Sequence, residues 1–139
     1  MYKLLTALVI ALLLTACGKE LEWRNAEVSN GMVFEQGANE GFTGMVYNIP
    51  ASAIVIGQSD FSMPLYRDNP RINQTGLTVD LHRSHCAADF KKGIRDGLLE
   101  CYRQDGTVVL EMLYDNGAPS GIGNLYGASG DQLASVNFD

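Results

Sequence analysis

Two stretches of this chain can be laid over one another without a gap. Phe90-Lys-Lys-Gly93-Ile-Arg-Asp-Gly97 matches Tyr114-Asp-Asn-Gly117-Ala-Pro-Ser-Gly121 in its aromatic and in both glycines. The offset of 24 then persists, with Tyr102 falling on Tyr126, Gly106 on Gly130, Tyr114 on Phe138 and Asp115 on Asp139. Such a recurrence marks one supersecondary unit used again. Because 24 is even, and strand side chains alternate faces with a period of two, successive units can present their apolar residues on one side.

The residues between the glycines support strands. Val108, Leu110, Met112 and Tyr114 alternate with a mixed set, and so do Ala134, Val136 and Phe138. That alternation belongs to an antiparallel sheet covered on one face. Asp105-Gly106, Asn116-Gly117 and Ser129-Gly130 are hairpin dipeptides, because a tight turn needs a residue with positive φ. Strands are therefore expected near 97–103, 107–114, 120–126 and 132–138, joined as a meander. The turn glycines of the repeats are Gly93, Gly97, Gly106, Gly117, Gly121 and Gly130. The repeat aromatics Phe90, Tyr102, Tyr114, Tyr126 and Phe138 are expected to fill the core; an exposed aromatic ladder for an extended ligand is the competing reading. Gly121, Gly123 and Gly127 are one residue too wide for a Gly-x-Gly-x-x-Gly phosphate loop, and no helix is expected to follow them.

The run Asn-Gly-x-x-x-Gly-x-Gly-x-x-Tyr-x-x-x-Gly over residues 116–130 resembles the MORN repeat. The longer unit resembles the MORN-variant repeats of bacterial envelope and antitoxin or immunity proteins, over residues 90–139. A looser match covers 30–47, where Phe34, Gly37 and Gly41 repeat the spacing of Phe90, Gly93 and Gly97. Gly44 offers a rival register there that needs a gap. The resemblance implies an all-β fold, or a mostly β fold with a small α element, built as an antiparallel meander of hairpin repeats. It also implies a non-catalytic module that binds another protein.

Residues 48–85 depart from the pattern. Ile49 to Ile56 is expected as a strand or a short buried helix, Met63 to Gly76 as a loop containing Pro64 and Pro70, and Gly76 to His82 as a strand.

The beginning of the chain points to an address. Residues 4–14 form an apolar run broken only by Thr6 and preceded by Lys3. At about 1.5 Å per residue it is too short to span a bilayer core of roughly 30 Å. Leu14-Thr15-Ala16-Cys17 resembles the bacterial lipobox, which implies a signal peptide over 1–16, a lipid on Cys17 and membrane attachment through it. Gly18, rather than an aspartate, implies the periplasmic face of the outer membrane. Residues 17–29 then form a tether and 30–139 a single domain. Trp23 and Leu21 are expected either to dip toward headgroups or to pack on the first strand.

Cleavage after Ala16 removes one basic residue, Lys3, and leaves nine Lys and Arg against sixteen Asp and Glu, a formal charge of −7. That balance argues against nucleic acid or anionic lipid as the main partner. With Cys17 acylated, Cys86 and Cys101 form an even pair in an oxidising compartment, and a disulfide between them is expected. If the hairpin around Gly93 pairs them directly, its register differs by one from the register that keeps Phe90 and Tyr102 on one face. A bulge at Gly93 or Gly97 could reconcile the two.

No catalytic site is expected. His82 and His85 are three apart and would point to opposite faces of a strand, and Cys86 is better matched to Cys101, so no metal or cofactor is expected. No nucleophile-elbow sequence is present. The reading is a lipid-anchored envelope module that binds a protein partner, with antitoxin-like neutralisation of a basic toxin as one form. A structural subunit of an outer-membrane or cell-wall complex and an envelope hydrolase are the alternatives. Unblunted sheet ends leave a homodimer open.

Overall fold

The structure is a computed structural model, described over residues 19–54 and 81–139. The expected signal peptide over 1–16, Cys17, the expected loop from Met63 to Gly76 and residues 76–80 of the expected strand lie outside the described residues. Leu81 and His82 belong to a helical turn, so that part of the expected strand is corrected.

The meander is present. Strands β1 (Glu20–Glu22), β4 (Gly44–Pro50), β5 (His85–Lys91), β6 (Ile94–Tyr102), β7 (Val108–Asp115), β8 (Ala118–Tyr126) and β9 (Gln132–Asn137) form one sheet in the order β1-β4-β5-β6-β7-β8-β9. All neighbours are antiparallel except β1, which runs parallel to β4. A two-stranded ribbon, β2 (Ala26–Ser29) with β3 (Met32–Glu35), a 3-10 turn (Trp23–Asn25) and a helical turn α1 (Ala51–Ile54) complete the described elements. Of the two readings of Ile49 to Ile56, the strand ends at Pro50 and a short helix begins at Ala51.

Residues expected as a tether are built in. Leu21 is buried in β1, and Trp23 and Ala26 pack against the core. The packing alternative for Leu21 and Trp23 is the one observed.

The expectation that all repeat aromatics look inward is corrected by strand parity. Lys92-Gly93 and Asn116-Gly117 are two-residue turns with both φ values positive, the conformation that suits the right-handed twist of a hairpin. Such a turn pairs an even residue with an odd one: Lys91 with Ile94, Cys86 with Cys101, and Leu110 with Leu125. The longer turns after β6 and β8 reach the same parity through a register shift beside Tyr102 and Tyr126, which pairs Leu99 with Met112 and Leu125 with Ala134. Two residues 12 apart on successive strands therefore fall on opposite faces, while residues 24 apart return to the same one. Phe90 and Tyr114 are buried, and Phe138 packs against the same core. Tyr102 and Tyr126 sit on the other face, half-exposed. The bulge between Ala88 and Phe90 shifts the register by two residues, which leaves the faces unchanged. Direct pairing of the cysteines is thus the register adopted, with Cys86 and Cys101 joined and wholly buried.

The units are joined tip to bulge. Gly117 N–H donates to the Arg95 carbonyl (2.8 Å) and Asn116 N–H to an Asp96 carboxylate oxygen (3.1 Å). One unit earlier, Gly93 N–H donates to the Phe42 carbonyl (2.8 Å) and Lys92 N–H to Thr43 Oγ1 (2.9 Å). Phe42-Thr43-Gly44 is therefore the structural equivalent of Arg95-Asp96-Gly97, and the register through Gly44 replaces the one through Gly41. Gly44 pairs with Phe90 and Gly97 with Tyr114, while Phe138 N–H donates to the Gly121 carbonyl.

The turns at the opposite end also repeat, with their side chains exchanged. Asp105 accepts from the backbone and hydroxyl of Thr107, whereas 24 residues on the Ser129 hydroxyl donates to Asp131. Those hydroxyl bonds hold both carboxyls below the ordinary aspartate range.

Candidate functional site

One face of the sheet is core. It is lined by Val46, Ala88, Phe90, Leu99, Leu110, Met112, Tyr114 and Leu125, all buried. On it, the Arg95 guanidinium stacks 4.5 Å from the centre of the Tyr114 ring and donates to the Ile54 carbonyl at the end of α1. The other face carries the candidate site.

Parity places a repeated trio there. Leu98, Glu100 and Tyr102 alternate outward along β6, and Ile122, Asn124 and Tyr126 alternate outward along β8, offset by 24. Between them β7 contributes Glu111 and Leu113. Glu100 stands directly opposite Glu111, Glu111 opposite Asn124, and Leu98 opposite Leu113. The two trios run in the same direction on strands separated by about 10 Å, twice the strand spacing. Their apolar members are the unusual feature: Leu98, Leu113 and Ile122 are 38%, 46% and 55% exposed. Single exposed apolar residues need no explanation, but three on neighbouring strands of one face make that face the candidate site.

The polar half of this face is ordered by hydrogen bonds. Tyr126 donates its phenolic proton to Glu111, a bond that raises the Tyr126 pKa above the ordinary 10.0. Tyr102 is raised as well, first by burial and then by the Glu100 charge. Two glutamates set directly across strands repel one another, and each has a neutral phenol beside it as a proton donor. Arg103 then anchors the end of the face, donating to the carbonyls of Tyr126 (2.7 Å), Val108 (3.2 Å) and Gly127 (3.3 Å).

Since the folded state holds these phenols neutral, whatever stability the bonds contribute is complete below the unfolded tyrosine pKa. It is lost as pH climbs through the raised folded value. Ultraviolet phenolate titration of Glu111→Gln, read as a difference against Tyr126→Phe, should show Tyr126 ionising at lower pH than in the parent. An unchanged titration would remove Glu111 as the cause.

A recess of about 310 Å³ opens at the same end, lined by Tyr47, Asn48, His85, Ala87, Tyr102 and Gln104 among others. His85 and His82 are exposed, and among the described residues no three His, Cys, Asp or Glu side chains come together to hold a metal ion. Gly93, Gly106, Gly117 and Gly130 lie in the turns between strands, whereas Gly97 and Gly121, expected as turn residues, lie within β6 and β8; all six have positive φ. The outward trio was missed by reading the period alone. The signal that reveals it is the two-residue length of the Lys92-Gly93 and Asn116-Gly117 turns, which forces the odd pairing.

No family model, curated protein or solved structure matches this chain.

Proposed function

We propose that this chain is a lipid-anchored cell-envelope module that binds another protein, without catalysis, through the outward face of β6, β7 and β8. The observation that supports it is the repeated trio Leu98-Glu100-Tyr102 and Ile122-Asn124-Tyr126, with Leu113 exposed between them. Interface centres favour tyrosine and apolar anchors within a polar rim. The carboxylates of Glu100 and Glu111 suit a partner surface with basic residues around an apolar patch, as an antitoxin-like role against a basic envelope toxin would require.

The test uses the mature chain with Cys17→Ser as bait in crosslinked envelope extracts and against the products of neighbouring genes. Leu113→Asp combined with Ile122→Asp should weaken capture of the partner at least tenfold, about 1.4 kcal/mol. The melting temperature should stay close to the parent's, because both positions are exposed. Undiminished capture by the double variant would show that this face is not the contact surface.

A further inference from the structure

We infer that the end of the sheet bearing Lys19, Lys91 and Lys92 faces an anionic phospholipid surface and fixes how the domain stands on its membrane. The inference rests on the lipoprotein reading of Cys17.

Apart from Lys3, these are the only lysines in the sequence. They are scattered along the chain, and the fold gathers them. β1 starts at Glu20 beside β4, with Met45 N–H donating to the Lys19 carbonyl at 3.0 Å. Lys92 N–H donates to Thr43 Oγ1 at the start of the same strand, and Lys91 ends β5 next to it. Lys19 and Lys91 line one recess of about 490 Å³. All three side chains are exposed, and among the described residues none is in an ion pair. Acids share the recess: Glu20, Asp89 and Asp96. Two of them are engaged, Asp89 accepting the Leu98 N–H and Asp96 the Asn116 N–H.

Chain length supplies the second constraint. Cys17 precedes Lys19 by two residues, so the two Cα atoms lie within about 7 Å of each other. A lipid on Cys17 therefore holds this end of the sheet, and no other, at the headgroups. Overall acidity makes the protein a poor ligand for anionic lipid. An acidic body tethered this closely must still turn one end to the surface, and screening over about 10 Å makes the nearest charges decide which. The exposed cations at this end are these three ammonium groups, while the half-buried Arg95 guanidinium beside them is stacked on Tyr114. His85 begins the strand that Lys91 ends, about 20 Å away at 3.3 Å per residue, so the histidines mark the opposite end.

Two residue-specific labels can read the two ends. The acylated protein is placed in vesicles of phosphatidylethanolamine with phosphatidylglycerol and labelled at lysine with a water-soluble active ester and at histidine with diethyl pyrocarbonate. Lys19, Lys91 and Lys92 should react at least threefold more slowly than in the soluble Cys17→Ser chain, with His82 and His85 unchanged. The slowing should fade in pure phosphatidylcholine or in high salt. Lysines as reactive on vesicles as in solution would overturn the orientation, and protection insensitive to headgroup charge and salt would overturn the role of the ammonium groups. The intact mass of the extracted protein is the separate check on the premise: acylation at Cys17 with unprotected lysines defeats only this inference, whereas an unmodified Cys17 defeats the lipoprotein reading with it.

Discussion

Replacing Cys86 and Cys101 together by alanine should lower stability by about 3–5 kcal/mol and the melting temperature by roughly 10–20 °C. The cysteines are separated by 15 residues and their Cα atoms are 4.0 Å apart as direct partners on β5 and β6. Closing a loop of that length removes about 3 kcal/mol of chain entropy from the unfolded state. The remainder comes from packing, since both side chains are wholly buried among Ala88, Leu99 and Leu110 and alanine leaves space behind. Thermal unfolding followed by circular dichroism, with the parent measured oxidised and reduced, separates the two parts. A reduced parent as stable as the oxidised one would show that the cross-link contributes nothing.

Gly41→Ala should cost about 2–4 kcal/mol, far more than Gly37→Ala a few residues away. Gly41 needs no special backbone conformation, because its φ is not left-handed. It needs room. A Cβ there would lie 2.3 Å from the carbonyl carbon and oxygen of Lys92 and 2.6 Å from the Gly93 nitrogen, all backbone atoms that cannot swing aside. The contact holds the β2–β3 ribbon on the sheet, where Val33 N–H donates to Gly93, Gly93 to Phe42, and Phe42 to Val33 in a closed circuit of 2.8–2.9 Å bonds. Gly37 has φ +80 and open space around it, so alanine there meets only left-handed strain of about 1–2 kcal/mol. Urea denaturation of the two variants tests the difference, and amide exchange should quicken at Val33 and Gly93 only in Gly41→Ala. Equal losses at both positions would refute the close-approach account.

How far the chain could be read in advance follows from which signals are local. The hairpin turns were legible at Asn116-Gly117 because the dipeptide states its own geometry. The strands around it were legible because alternation is a property of consecutive residues. At Lys92-Gly93 the turn was recognisable but left two registers, one joining Cys86 to Cys101 and one keeping Phe90 and Tyr102 on one face; the odd pairing sum of a two-residue turn selects the first and divides the rings. The register of the first unit was legible only as two rivals. Hydrogen bonds from Lys92 and Gly93 to Thr43 and Phe42 choose between them, and these join residues about fifty apart.

The sequence by itself determined that residues beyond Phe90 make repeated antiparallel hairpins, and that Cys86 has a partner in Cys101, because turn chemistry, alternation and cysteine count act over short spans or as inventories. Only the tertiary structure decided which rings face outward, that residues 20–29 are part of the body, and that lysines at 19, 91 and 92 share one end. Those outcomes depend on which strands become neighbours. Neighbours far apart in the chain are selected by the packing of the whole sheet, where a shift of one residue would turn every buried side chain of a strand into water.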